Sequence, residues 1–212
     1  MVLRMIGGLL TARLVAPATL GLFNGIGLVI GYAPLLQLGA LNGLNRELPY
    51  YIGKGDRHRA EELAAAAQAW ALIIGCAVFT ALLGVAGWQL AHGELWKAAG
   101  WLTNAIVALF LFYSTIYLQT TFRTSHDFAR LAVVNAAESA FALALVTLVA
   151  FLNFYGLCIR LVLVGAFSAA LLYHWRPVRV GPSWDWGHLK HLLKIGAPIF
   201  AVGQVYAYWA VI

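Results

Sequence analysis

Charge is what this sequence has least of. Only 10% of its 212 residues are Asp, Glu, Lys or Arg, against roughly 25% in an ordinary soluble domain, and just eight of them are acidic. That excludes a water-soluble globule, whose surface needs charge of both signs. Cysteine is also scarce: Cys76 and Cys158 both lie inside apolar runs, so their spacing supports neither a disulfide framework nor a metal site. No H-E-x-x-H, paired cysteine or nucleophile elbow occurs, so the chain is not expected to be an enzyme, and no cofactor is implied. "GKGD" at 53–56 is not a phosphate loop, because Leu48 stands where G-x-x-x-x-G-K-[ST] needs its first glycine and Gly55 where it needs a hydroxyl. A glycine turn is predicted instead, with Asp56 as N-cap of the helix that follows.

What the chain has in abundance is apolar length. Hydrophobic residues make up 62% and mean hydropathy is +0.81, so an all-α integral membrane protein is expected, with the lipid bilayer as its first partner. The formal net charge of +6 does not point to nucleic acid, since no polar domain presents a basic face. Nothing at the N-terminus resembles a removable signal peptide: Arg13 follows the apolar core and no small-x-small cleavage site leads into a polar chain.

A spanning helix needs about 20 apolar residues. On that measure the runs 20–44, 63–90, 96–118, 129–152, 154–173 and 189–212 are full length, while 2–15 is short and stops before Pro17. About seven transmembrane helices are therefore predicted. The fifth and sixth are joined by a tight turn at "NFYG", 153–156. The first run is clipped and the last lacks a flanking polar anchor, so the chain is expected to be part of a longer one.

Basic residues gather in alternate connections: Arg46, Lys54, Arg57 and Arg59, then Arg123 and Arg130, then Arg176, Arg179, Lys190 and Lys194. By the positive-inside rule, loops 45–62, 119–130 and 174–190 are assigned to the cytoplasmic side of the cell's inner membrane. Six tryptophans near run ends suit an interfacial belt.

Polar groups at membrane depth are the candidate functional residues, because burying them in lipid is costly. Glu138 lies eight residues past Arg130, with Asn135 on the same helical face; a substrate path and a packing hydrogen bond are equally open for this pair. Asn104, Tyr113 and Tyr117 give the fourth span a polar face, suited either to a wet cavity or to interhelical bonding. Arg160, near the outer turn, is expected to snorkel. Arg13 and Arg46 sit at helix ends, where they are either surface charges or partners for a phosphate.

The run R-E-L-P to G-K-G-D in "LNGLNRELPYYIGKGDRHRAEEL" resembles the polysaccharide-biosynthesis flippases of the multidrug/oligosaccharidyl-lipid/polysaccharide exporter superfamily. "TARLVAPATLGLFN" is similar to that family's end of helix one, and "LLKIGAPIF" to its helix seven. The resemblance implies two six-helix lobes around a cavity that moves a lipid-linked saccharide by alternating access. Residues 1–180 would then form the first lobe and 181–212 the connection and first helix of the second. It also implies that Arg13 and Arg46 meet the substrate's pyrophosphate. The implied partners are a polyprenyl-pyrophosphate-linked saccharide and the glycosyltransferases and polymerase of the same pathway. A multidrug exporter of that superfamily and a non-transporting assembly subunit remain as alternatives.

Overall fold

The structure, a computed structural model, describes residues 2–209, with side chains through residue 206. The last residues of the seventh predicted span, 210–212, lie outside the described residues. Every regular element among them is helical: α1 (Val2–Leu14), α2 (Pro17–Tyr32), α3 (Ala40–Gly53), α4 (Arg57–Ala91), α5 (Leu95–Phe110), α6 (Gln119–Thr124), α7 (Phe128–Ala144), α8 (Val146–His174) and α9 (Trp186–Trp209). A short 3₁₀ turn, Ala33–Gln37, follows α2, and a π-helical segment, Leu111–Leu118, joins α5 to α6. By length and composition four stretches are long and apolar enough to cross a bilayer: Pro17–Gln37, Arg57–Ala91, Leu95–Thr124 and Val146–His174, the last of them broken at Asn153. Large apolar side chains such as Leu22, Leu28 and Phe151 stand exposed on them, as a lipid-facing surface requires.

Local chemistry sets the breaks. Ala16 is extended (φ −57°, ψ 138°) before Pro17, which opens α2, because proline excludes helical geometry from the residue before it and suits the first helical position itself. Asp56 accepts a hydrogen bond from the Arg59 N–H at 3.1 Å and caps α4 as expected. Asp127 does the same for α7 through the Arg130 N–H.

Within α8 the backbone departs from helix at Asn153 (φ 48°, ψ −116°), and the chain reverses there. Phe141 packs on Phe167 with ring centroids 4.5 Å apart, and Arg160 bonds to the Ala142 carbonyl. Each pair straddles Asn153, so residues 154–174 run back along α7. The predicted hairpin at 153–156 is thus present. Gly156 is required at the turn: a side chain there would overlap the Leu148 carbonyl.

Three boundaries differ from the sequence reading. The run 20–44 is divided at Leu38 and Gly39, both with positive φ, and no charge marks that break. Loop 45–62 is largely helix, since α3 continues to Gly53 and α4 begins at Arg57. The reason is amphipathic spacing: Leu41, Leu44 and Leu48 are buried on one face of α3 while Asn45 and Arg46 are exposed on another. Even Pro49 is accommodated inside the helix. Loop 119–130 likewise contracts to residues 125–127 between α6 and α7. Loop 174–190 keeps only 175–185 non-helical, so Lys190 belongs to α9.

The core is built around α4, where Ala60, Ala64, Ala67 and Ala71 form a buried small-residue stripe that lets neighbouring helices come close. Against it lie Leu44, Phe122, Leu172 and Leu192 from four other helices. α9 crosses α3 backbone to backbone: a side chain on Gly43 would overlap the Leu192 carbonyl, and one on Gly196 the Gly39 carbonyl. The basic connections converge at one end of the bundle, where Arg57, Ser125 and Arg179 line one shared cavity of about 310 Å³. At the opposite end Phe154 touches Trp96 and Phe23 edge-on, at 5.9 and 6.1 Å between ring centroids.

Candidate functional site: a polar groove beside α7

One face of α7 carries Ala132, Asn135, Ala136 and Ser139, spaced three and four residues apart as a helix face requires. Its two alanines leave room, and the face lines an open cavity of about 940 Å³. The other walls come from the start of α1 (Val2, Leu3 and Arg4) and from Thr115 and Gln119 on the π segment and α6. π turns inside α-helices frequently mark functional sites. This one divides its side chains: Tyr117 and Leu118 join the core, whereas Thr115 is exposed to the groove.

Glu138 is held on both oxygens. Arg4 Nη2 donates to Oε1 at 2.9 Å and Ser168 Oγ donates to Oε2 at 2.7 Å. Arg4 Nε donates in turn to Ser139 Oγ at 3.2 Å, and that hydroxyl donates to the Asn135 carbonyl at 2.6 Å. A single network therefore links α1, α7 and α8 through side chains. Glu138 is four-fifths covered, while the Arg4 side chain is 57% exposed, so the cation is the member of the pair within reach of a solute.

The polar lining continues around the stem of α6. Thr115 also lines a smaller cavity of about 210 Å³ with Gln37, Asn42, Asn45, Thr120 and Arg123, and Arg123 Nη2 donates to Gln119 Oε1 at 3.2 Å. Gln37 Oε1 is buried and has no hydrogen-bond partner among the described residues. An unpaired buried acceptor costs about 1–3 kcal/mol.

Of the residues singled out from sequence, the structure gathers Asn135 and Glu138 at the groove. Asn104 is buried in α5 and donates to the Gly100 carbonyl of its own helix at 2.8 Å. Tyr113 and Tyr117 stack on each other at 6.0 Å, and the Tyr117 hydroxyl donates to Gln68 Oε1 at 3.4 Å inside the bundle. Arg13 and Arg46 are exposed on α1 and α3 and line neither cavity. Arg160 does not snorkel: Nε donates to the Ala142 carbonyl and Nη1 to Thr11 Oγ1, both at 2.9 Å. Two acceptors within the bundle hold the guanidinium instead of the expected interface.

Arg4 and Ser168 were missed as members of the site. Arg4 interrupts an otherwise apolar run, and a charge at membrane depth is a functional signal in itself; Ser168 gave none. Among the described residues no three His, Cys, Asp or Glu side chains gather as metal ligands. Outside the spans, Asp185 accepts hydrogen bonds at the start of α9, the His188 backbone N–H lying 3.0 Å from Oδ1. That bond, with lesser help from the His188 side-chain charge, holds its carboxyl below the usual aspartate value.

No family model, curated protein or solved structure matches the chain.

Proposed function

We propose that this chain is one lobe of a membrane transporter, not an enzyme, that moves lipid-linked oligosaccharide or polysaccharide precursors across the cytoplasmic membrane by alternating access. The observation that carries this reading is the open polar groove held by Arg4, Glu138 and Ser168. Ionisable groups in membrane helices are expensive and mark solute pathways by default, and a guanidinium suits the paired oxygens of a pyrophosphate. In this reading the seven predicted spans make a six-helix lobe and the first helix of a second. The basic end lies in the cytoplasm, and the exposed Arg46 attracts the anionic substrate before Arg4 receives it. A cation-coupled multidrug exporter would need a free intramembrane carboxylate, and Glu138 is already engaged by Arg4.

The test is reconstitution in liposomes. A two-lobe protein containing this chain is expected to flip a labelled polyprenyl-pyrophosphate saccharide, and residues 1–212 alone are not. Robust flipping by monomeric 1–212, or none by the two-lobe protein, overturns the reading. Orientation has its own check: a cysteine at His58 or Ser125 should be labelled only from the cytoplasm, and one at Gly93 or Asn153 only from outside.

A further inference from the structure

At the end of the bundle where the basic connections converge lies another cavity, of about 540 Å³, lined by Arg130, Tyr173, His174, Trp175, Arg176 and Arg179. It shares no residue with the groove beside α7, and no carboxylate lines it. Arg176 is laid over the Tyr173 ring, its Cζ 4.2 Å from the centroid, so its donors are held in place by a cation–π contact. Arg130 is oriented by Asp127, with Nη1 at 3.1 Å from Oδ2. Arg176 and Arg179 make no ion pair among the described residues.

Three guanidinium groups around one cavity repel one another, and only one of them has a neutralising neighbour. An anion in the cavity relieves that repulsion. Arginine forks match the geometry of phosphate oxygens. Tyr173 and Trp175 add amphipathic rings of the type found at the headgroup level of a membrane, and basic pockets between helices on this kind of surface take phosphorylated headgroups.

We propose that Arg130, Arg176 and Arg179 form a binding site for a phosphate group, of the kind carried by an anionic phospholipid headgroup or by soluble pyrophosphate. The site is separate from the groove and does not depend on the transport reading. Two arms distinguish the sources. In the first, the full chain in detergent micelles is titrated with phosphatidylglycerol, and with phosphatidylcholine as the zwitterionic control, and bound lipid is counted by native mass spectrometry. In the second, inorganic pyrophosphate is titrated calorimetrically.

Arg176→Gln combined with Arg179→Gln is expected to weaken binding about thirtyfold, equivalent to roughly 2 kcal/mol for two lost cations. Lys190→Gln combined with Lys194→Gln removes the same charge from α9, outside the cavity, and should leave binding unchanged. An effect in the lipid arm identifies a headgroup site, and an effect in the pyrophosphate arm alone identifies a soluble ligand. Arg179→Gln by itself, at an exposed side chain with no bond to lose, keeps the test open if the double variant misfolds; about a fivefold loss is expected. Equal weakening by the arginine and lysine pairs, undiminished binding by the arginine variants, or no binding in either arm overturns the site.

Discussion

Where α3 crosses α9 the contact is backbone on backbone, Gly39 and Gly43 lying against Leu192 and Gly196. Where α1 meets α7 and α8, by contrast, Arg4, Thr11, Glu138, Ser139, Arg160 and Ser168 span the gap through hydrogen bonds. The glycine crossing admits one geometry, because no side chain can rearrange within it. The α1 contact is made of polar bonds, each of which water or an anionic solute can replace. One side of the molecule is thus a frame of α3, α4 and α9, with α3 and α9 packed backbone on backbone, and the other is a contact held by polar side chains.

The largest effect should come from the frame. Gly196→Leu places a side chain against the backbone of Gly39 and Gly43, with no flexible neighbour to give way, and should cost about 3 kcal/mol or more in stability. Thermal unfolding in detergent measures it, with Gly203→Ala as control, since nothing lies within 4 Å of that position. A normal melting temperature for Gly196→Leu would dissolve the distinction between the two contacts.

On the polar side, Glu138→Gln keeps an acceptor for Arg4 or Ser168 but removes the charge. Folding should survive, while the transport rate of the complete protein should change at least about tenfold, the scale of one charge-assisted hydrogen bond. If stability falls and transport per folded molecule does not change, the network is packing only. Arg160→Lys should be milder, about 1 kcal/mol of stability, because an ammonium cannot reproduce the fork between Ala142 and Thr11. No loss would mean that Arg160 contributes only its charge.

The smallest effect belongs to Asp185. Its folded carboxyl is held below the usual aspartate value by the His188 backbone bond, so its contribution is fully present above about pH 4 and is lost as pH falls through the depressed folded value. The wild-type advantage over Asp185→Asn in melting temperature should therefore be present at about pH 5 and shrink as pH falls below the ordinary aspartate value of about 4. An advantage that grows on acidification would contradict the bond.

Much of the helix layout could be read from the sequence, because its signals are local. Pro17 stops one helix and starts the next, Asp56 caps α4, and "NFYG" turns a continuous apolar run back on itself. The Leu38–Gly39 break escaped notice because nothing polar marks it, and helical α3 was hidden by counting its charges rather than their spacing. Asn104 and Tyr117 show why a polar residue in a span does not by itself line a cavity. The first bonds a carbonyl one turn back and the second a glutamine across the core. Glu138 could be flagged alone, but its partner Arg4 lies 134 residues away, and such a pairing is decided only when α1 docks.

The reversal at Asn153 also bears on how the protein enters a membrane. Between Glu138 and Arg160 there is no charged residue, so the tip of this hairpin meets a low electrostatic barrier to crossing the hydrocarbon layer. α7 and the two arms of α8 can therefore insert together as one preformed hairpin, rather than as two helices threaded in turn. The Arg160 bond to Ala142 then acts as a clasp on the inserted pair, closing between two arms that the turn has already brought side by side.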